Sequence, residues 1–236
     1  MIQKLKRLNM KKSRKKNIRS GKQKRRLQRN RRILIGVLGV LCLFFIITKI
    51  KGVFFGNKYR ELSDDEITAE KPEIDVDLLD LNEYSRPGTE SERITGIVIH
   101  YTANPGSTAK QNRDYFNGLQ ETHITKASSH FIIGLDGEII QCVPTWEIAY
   151  ASNERNKDTV SIECCHPDES GEFTRETYQS MVQLTAWLCN KFELSENDVI
   201  RHYDVTGKIC PKYFVENEDA WEEFKLNVKK ALDSVE

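Results

Sequence analysis

The first 60 residues of this 236-residue chain contain no aspartate or glutamate; the first acid is Glu61. The same stretch holds 20 lysines and arginines, so the overall net charge of +1 hides a polycation followed by a polyanion. Beyond residue 60 there are 16 basic residues against 35 acidic ones. Charge is also missing from Ile33 to Thr48, which is almost wholly apolar. A buried helix of a soluble protein does not normally follow sixteen lysines and arginines with no acid among them. The run lies near the lower limit of a spanning helix, roughly 17–25 residues, and Lys49 and Lys51 can snorkel to extend it. No small-x-small cleavage site follows, and the basic lead is long for a signal peptide, which favours an uncleaved anchor over a cleaved leader. Cys42 then reads as a membrane cysteine.

The positive-inside rule sets the expected topology. Residues 1–32 form a basic cytoplasmic tail, 33–50 a single-pass transmembrane signal anchor, 51–92 an extracytoplasmic linker and 93–236 a globular domain. The expected location is the cell membrane, with the domain outside. Beside an apolar span, the basic lead serves topology and contact with anionic lipid rather than nucleic acid. The chain has no internal repeat, and no low-complexity tract beyond the basic tail. In the linker a short helix at Asp75–Leu81 is allowed, and Ser85-Arg86-Pro87-Gly88 reads as a turn.

From Ile94 onward strands and helices alternate. Ile94–His100 is a short β-rich apolar run, the mark of a buried central strand. Ser107–Leu119 reads as a helix with Ser107 or Thr108 as N-cap and Gly118 near its end. Two strands around Leu135-Asp136-Gly137 make a hairpin, and Thr159–Cys164 is a further strand. Phe173–Asn190 carries Tyr178, Met181, Val182, Thr185, Trp187 and Leu188 at helical spacing, a core-facing stripe. Val199–Tyr203 is extended, and Asp219–Leu232 closes the domain as a helix. The fold class is α/β, a central mixed β-sheet flanked by helices, with enough chain to bury a core.

His100 ends the first strong strand, and Arg201-His202-Tyr203-Asp204-Val205-Thr206-Gly207-Lys208-Ile209-Cys210-Pro211 lies about a hundred residues later. His100, His202 and Cys210 together offer two imidazoles and a thiolate. Three protein ligands suit a catalytic Zn2+, because structural zinc sites close all four positions. Glu163 on a buried strand is hard to explain as packing, since an unpaired buried carboxylate is costly. The other histidines have plainer readings: His130 as a hydrogen-bonded structural residue, His123 as solvated. His166 lies beside Cys164-Cys165, whose side chains point to opposite faces of a strand and chelate poorly. An extracytoplasmic domain permits disulfides among Cys142, Cys164, Cys165 and Cys189, but buried free thiols fit equally and no pairing follows from the sequence.

The strand ending in His100, the Ser129-His130-Phe131-Ile132-Ile133-Gly134 … Asp136-Gly137 hairpin, the Ser161-Ile162-Glu163 strand and the His202 … Lys208-x-Cys210-Pro211 segment resemble the zinc-dependent N-acetylmuramoyl-L-alanine amidases. That family includes phage amidase-type lysozymes and peptidoglycan recognition proteins, and the resemblance covers roughly residues 93–215. It implies zinc on His100, His202 and Cys210, and cleavage of the amide between N-acetylmuramic acid and the first L-alanine of the stem peptide. Lys208 matches a position that assists catalysis in the phage-lysozyme branch. Glu163 matches the glutamate that another branch uses as acid/base. Two positions depart from the pattern: Ser129 stands where the phage-lysozyme branch has a catalytic tyrosine, and Ala151 where many relatives carry a histidine.

The expected protein is thus a membrane-anchored peptidoglycan hydrolase. Two alternatives stay open at this point, a non-catalytic peptidoglycan-binding sensor or scaffold and a zinc hydrolase of another cell-wall amide.

Overall fold

A computed structural model describes residues 68–234. The basic tail and the apolar run 33–50 lie outside the described residues. Among the described residues no helix is long and apolar enough to cross a membrane.

Six strands form one mixed sheet: β1 (Asp75–Val76), β2 (Gly96–Tyr101), β3 (Phe131–Ile133), β4 (Ile139–Gln141), β5 (Thr159–Cys164) and β6 (Val199–Arg201). Their spatial order is β1-β4-β3-β5-β2-β6. Only the β3–β4 hairpin pairs antiparallel; the other neighbours are parallel. Central β2 and β5 are buried almost throughout, as parallel strands covered on both faces must be.

Alternation along these strands separates two cores. Ile97, Ile99, Phe131, Ile133, Val160, Ile162 and Cys164 face one side. There they meet two long helices, α2 (Arg175–Phe192) and α5 (Glu218–Asp233). On the other side Ile132, Ile140 and Cys165 pack with Phe116 and Leu119 of α1 (Ala109–Thr122). The expected stripe on α2 is buried at Tyr178, Met181, Val182, Thr185 and Leu188, while Trp187 is only partly covered.

Local chemistry sets the helix ends. Thr108 caps α1 in a reciprocal box with Gln111, and His123 ends it in the left-handed region at φ 54°. Gly118 therefore lies inside the helix, one turn before its end, and the helix runs three residues past Leu119. Thr174 caps α2. Val199–Tyr203 is only half extended, since the chain turns into α3 (His202–Thr206) directly after Arg201. A further short helix, α4 (Lys212–Glu216), leads into α5.

The stretch read as a linker runs along the domain from residue 68 onward. No helix forms at Asp75–Leu81. Asp75 and Val76 instead pair with Ile140 and Gln141, Leu79 is buried, and its N–H donates to Cys142 O at 2.9 Å. Backbone pairing and the burial of one leucine outweigh the weak helical propensity of the segment. Arg86 then makes a two-pronged pair with Glu147, Nε to Oε2 and Nη2 to Oε1 each at 2.8 Å, both side chains largely buried. All five described cysteines are buried free thiols, and Cys164 and Cys165 do point into opposite cores.

Candidate active site

Helix α1 covers β3 and β4 but not the C-terminal ends of β2 and β5. A cleft of about 330 Å³ opens there, the usual place for ligands in a parallel sheet. His100 and Glu163 are direct partners in the β2–β5 register, so both project from the same face of the sheet into this cleft. His202 enters from the first turn of α3. Cys210 comes back to it through Gly207, which adopts φ 77° at the end of α3, and the Tyr203 N–H closes the loop on Cys210 O at 2.9 Å.

One ligating atom from each of His100, His202 and Cys210 lies within 4.8 Å of the others, and all three residues are buried. Cys210 Sγ is 3.8 Å from His100 Nδ1, and the two imidazole rings are 4.7 Å apart. The far nitrogen of each ring is occupied. His202 Nε2–H donates to Asn153 Oδ1 at 3.1 Å, and His100 Nε2 lies 3.1 Å from Ser152 Oγ. His202 Nδ1 is left buried with no protein partner. An orphaned imidazole lone pair facing a thiol and a second imidazole is the donor set of a three-ligand zinc site with one open position. The three residues fit zinc.

The charge states of the two histidines agree. Burial, and then the neighbouring cations, hold both His100 and His202 below the usual histidine value, which keeps their lone pairs available. Burial pushes the Cys210 thiol up to about 12, with Glu163 adding to the rise. Loss of hydration raises Glu163 to about 8, against an opposing pull from Lys208. One Glu163 oxygen, Oε2, is buried and has no hydrogen-bond partner. Lys208 lines the cleft with its side chain exposed.

Residues 90–213 match the family described as N-acetylmuramoyl-L-alanine amidase, more than half of the chain. The chain belongs to this amidase family. It is 36% identical over 165 residues to the N-acetylmuramoyl-L-alanine amidase CwlL of Bacillus licheniformis, covering 64% of this chain and 45% of that one. To the N-acetylmuramoyl-L-alanine amidase BlyA of Bacillus subtilis (strain 168) it is 32% identical over 173 residues, with 64% and 46% covered. The chain thus spans just under half the length of these relatives. Two solved structures share the amidase fold. PlyL superposes with a TM-score of 0.59 at 22% identity, covering 68% of this chain and 99% of that one. The catalytic domain of XlyA gives 0.57 at 24%, with 66% and 99% covered.

In this amidase domain the five residues singled out in the sequence, His100, Glu163, His202, Lys208 and Cys210, all line one cleft. Ser129 does not. It is buried, with its hydroxyl 3.0 Å from both Phe131 O and Ser161 O. Ala151 lines the cleft but brings only a methyl group. His130 is structural as expected: Ser161 N–H donates to its Nδ1 at 3.0 Å, and its Nε2–H donates to Glu147 O at 2.9 Å. His123 is exposed, yet its ring stacks on Tyr84. His166 is buried outside the cleft lining and holds Asp168 O at 2.7 Å through Nδ1.

Sequence reasoning missed Ser152 and Asn153, the partners of the two candidate ligand histidines. A serine and an asparagine in a loop carry no spacing signal. Asn153 does sit at φ 53°, a conformation that asparagine tolerates better than most residues. Asn156 is also unannounced; its Oδ1 accepts the N–H groups of Ala151 and Ser152 and so shapes the loop.

Proposed function

We propose that this chain is a zinc-dependent N-acetylmuramoyl-L-alanine amidase. It would cut the amide between N-acetylmuramic acid and the L-alanine of the stem peptide, with peptidoglycan as substrate. The observation that carries the reading is the convergence of His100, His202 and Cys210 beside Glu163 in a cleft of an amidase-family domain. CwlL and BlyA, which bear the same activity in their names, support the choice of bond.

His100, His202 and Cys210 would hold the zinc. A bound zinc supplies Lewis acidity, which acidifies water toward neutrality and polarises a carbonyl. Glu163 stands beside the ligand His100 with an oxygen that has no protein partner. It takes the proton of the attacking water and returns it to the departing amide nitrogen, work that needs a carboxylate with a raised pKa. The ammonium of Lys208 faces the oxyanion that develops on the carbonyl. Asn153 and Ser152 keep the two imidazoles oriented.

The apolar run 33–50 would anchor the enzyme as a single-pass protein with residues 1–32 in the cytoplasm and the domain facing the wall. The test is digestion of intact peptidoglycan by the zinc-loaded full chain, followed by mass spectrometry of released fragments. Stem peptides with a free L-alanine amino terminus are expected, and neither chelated enzyme nor Cys210→Ala should release them. Unchanged peptidoglycan with zinc verifiably bound would replace the enzyme by a wall-binding sensor. Protease accessibility of the two ends in sealed vesicles tests the anchor.

A further inference from the structure

One wall of the cleft meets the core through half-buried Ala127 alone among residues 121–127. Glu121 to Lys126 are all exposed, and Lys126 and Ala127 line the cleft. A loop with so few buried contacts opens at little cost unless neighbours hold it. Ser128 supplies one hold, since its N–H donates to Tyr150 O at 3.1 Å and its Oγ accepts the Tyr150 N–H at 2.9 Å.

Tyr84 supplies the other. Its ring stacks on His123 with centroids 4.3 Å apart and planes 10° from parallel. Its carbonyl accepts the Ala127 N–H at 3.0 Å. The Lys126 ammonium lies 5.9 Å from the Tyr84 ring centre and 5.6 Å from that of Tyr150, so it is attracted to two ring faces at once. Tyr84 is itself fixed, because Asn82 Oδ1 accepts its N–H at 2.7 Å. It also precedes the family-matched region 90–213.

The geometry points to Tyr84 as a positioning residue: a strap outside the family-matched region sets the Lys126 wall of the cleft for substrate. Holding the ammonium of Lys126 in place fixes where an anionic ligand group is met. The kinetic side of this inference rests on the amidase reading; the structural side does not.

The test compares the zinc-loaded full chain with Tyr84→Ala and Tyr84→Phe, on a soluble muramyl-peptide and by hydrogen exchange. Tyr84→Ala should raise KM about tenfold, the size expected when a loop must be ordered by the ligand instead, with kcat and zinc affinity little changed. Both variants keep the backbone carbonyl, but Tyr84→Phe also keeps the ring and should behave as wild type. Amides of residues 123–128 should exchange faster in Tyr84→Ala alone. His123→Gly, which suits the left-handed cap and removes only the stack, should raise KM by less; it serves if Tyr84→Ala does not fold.

An unchanged KM in Tyr84→Ala, equal damage from Phe, or unaltered exchange at 123–128 would overturn the assignment. If wild type cleaves no muramyl-peptide, the amidase reading fails, and the exchange data alone decide whether Tyr84 holds the wall.

Discussion

Asn153 Oδ1 accepts the Nε2–H of His202 at 3.1 Å, and this one contact leaves the Nδ1 lone pair directed at the shared site with His100 and Cys210. Replacing Asn153 with glycine, which accommodates the φ of 53°, should therefore weaken zinc binding without disturbing the fold. Loss of such an outer partner typically costs 10- to 100-fold, roughly, in metal affinity. Competition with a calibrated chelator reads the change, and an unaltered affinity would show that Asn153 does not orient the ring.

Zinc binding should release protons. Both ligand histidines are held neutral, whereas the Cys210 thiol, pushed up to about 12, is protonated at pH 7 and must lose its proton to bind. Calorimetry of the wild-type chain in buffers of different ionisation enthalpy should show about one proton released per zinc ion bound.

Glu163→Gln should lower amide cleavage by about 10²- to 10⁴-fold, the usual worth of a positioned acid/base. Zinc content should be retained, which separates this variant from Cys210→Ala. The same change should stabilise the metal-free protein at alkaline pH. Glu163 is raised to about 8 in the fold, above its value in the unfolded chain, so it favours the native state in acid and loses that contribution as pH rises through 8. Urea titrations at pH 5 and pH 9 should show the variant gaining on wild type only at the higher pH.

His130 gives the opposite sign. Burial lowers it to about 4 in the fold against roughly 6.5 when unfolded, so the unfolded chain binds more protons between these values. Its contribution is complete above pH 6.5 and falls away as pH drops toward 4, by about 3 kcal/mol in all. His130→Asn should flatten this part of the pH–stability curve relative to wild type. An identical slope in both proteins would mean that folding does not lower the pKa of His130.

Arg201 joins the segments that carry His202 and Cys210. Its guanidinium bonds Asp204, Glu218 and Phe214 O, between the rings of Tyr203 and Trp221. Arg201→Ala should cost about 1–3 kcal/mol, because it leaves the buried Phe214 O unpaired and removes ion pairs to the more exposed Asp204 and Glu218. Denaturant unfolding measures this.

Much of the site was legible because its chemistry rests on residue types with few other uses in such places. A histidine closing an apolar strand, and a histidine and cysteine eight residues apart around a glycine turn, announce themselves. The strands were legible for a related reason: β2 and β5 are buried on both faces and read as continuous apolar runs. Asp75–Leu81 was not, because acids alternating with leucines fit a weak helix as well as an edge strand. Only the tertiary partner, Cys142 O for the Leu79 N–H, decides between them. Ser152, Asn153 and Tyr84 were hidden similarly. Their roles come from what lies across from them in space, and nothing in their own neighbourhood in the chain marks it.

The pairing of His100 with Glu163 has an effect on how the proposed activity can be retuned. Their backbones sit on adjacent parallel strands, whose spacing of about 4.8 Å is fixed by the sheet itself. Neither strand can shift by one residue without turning its polar side chains into the apolar core. The gap between the proposed ligand His100 and the proposed proton carrier Glu163 is therefore a constant of the fold, and only side-chain reach can vary. Glu163→Asp withdraws the carboxylate by one methylene while leaving the ladder intact, so a graded change in rate between the two would measure how finely the reaction depends on that distance.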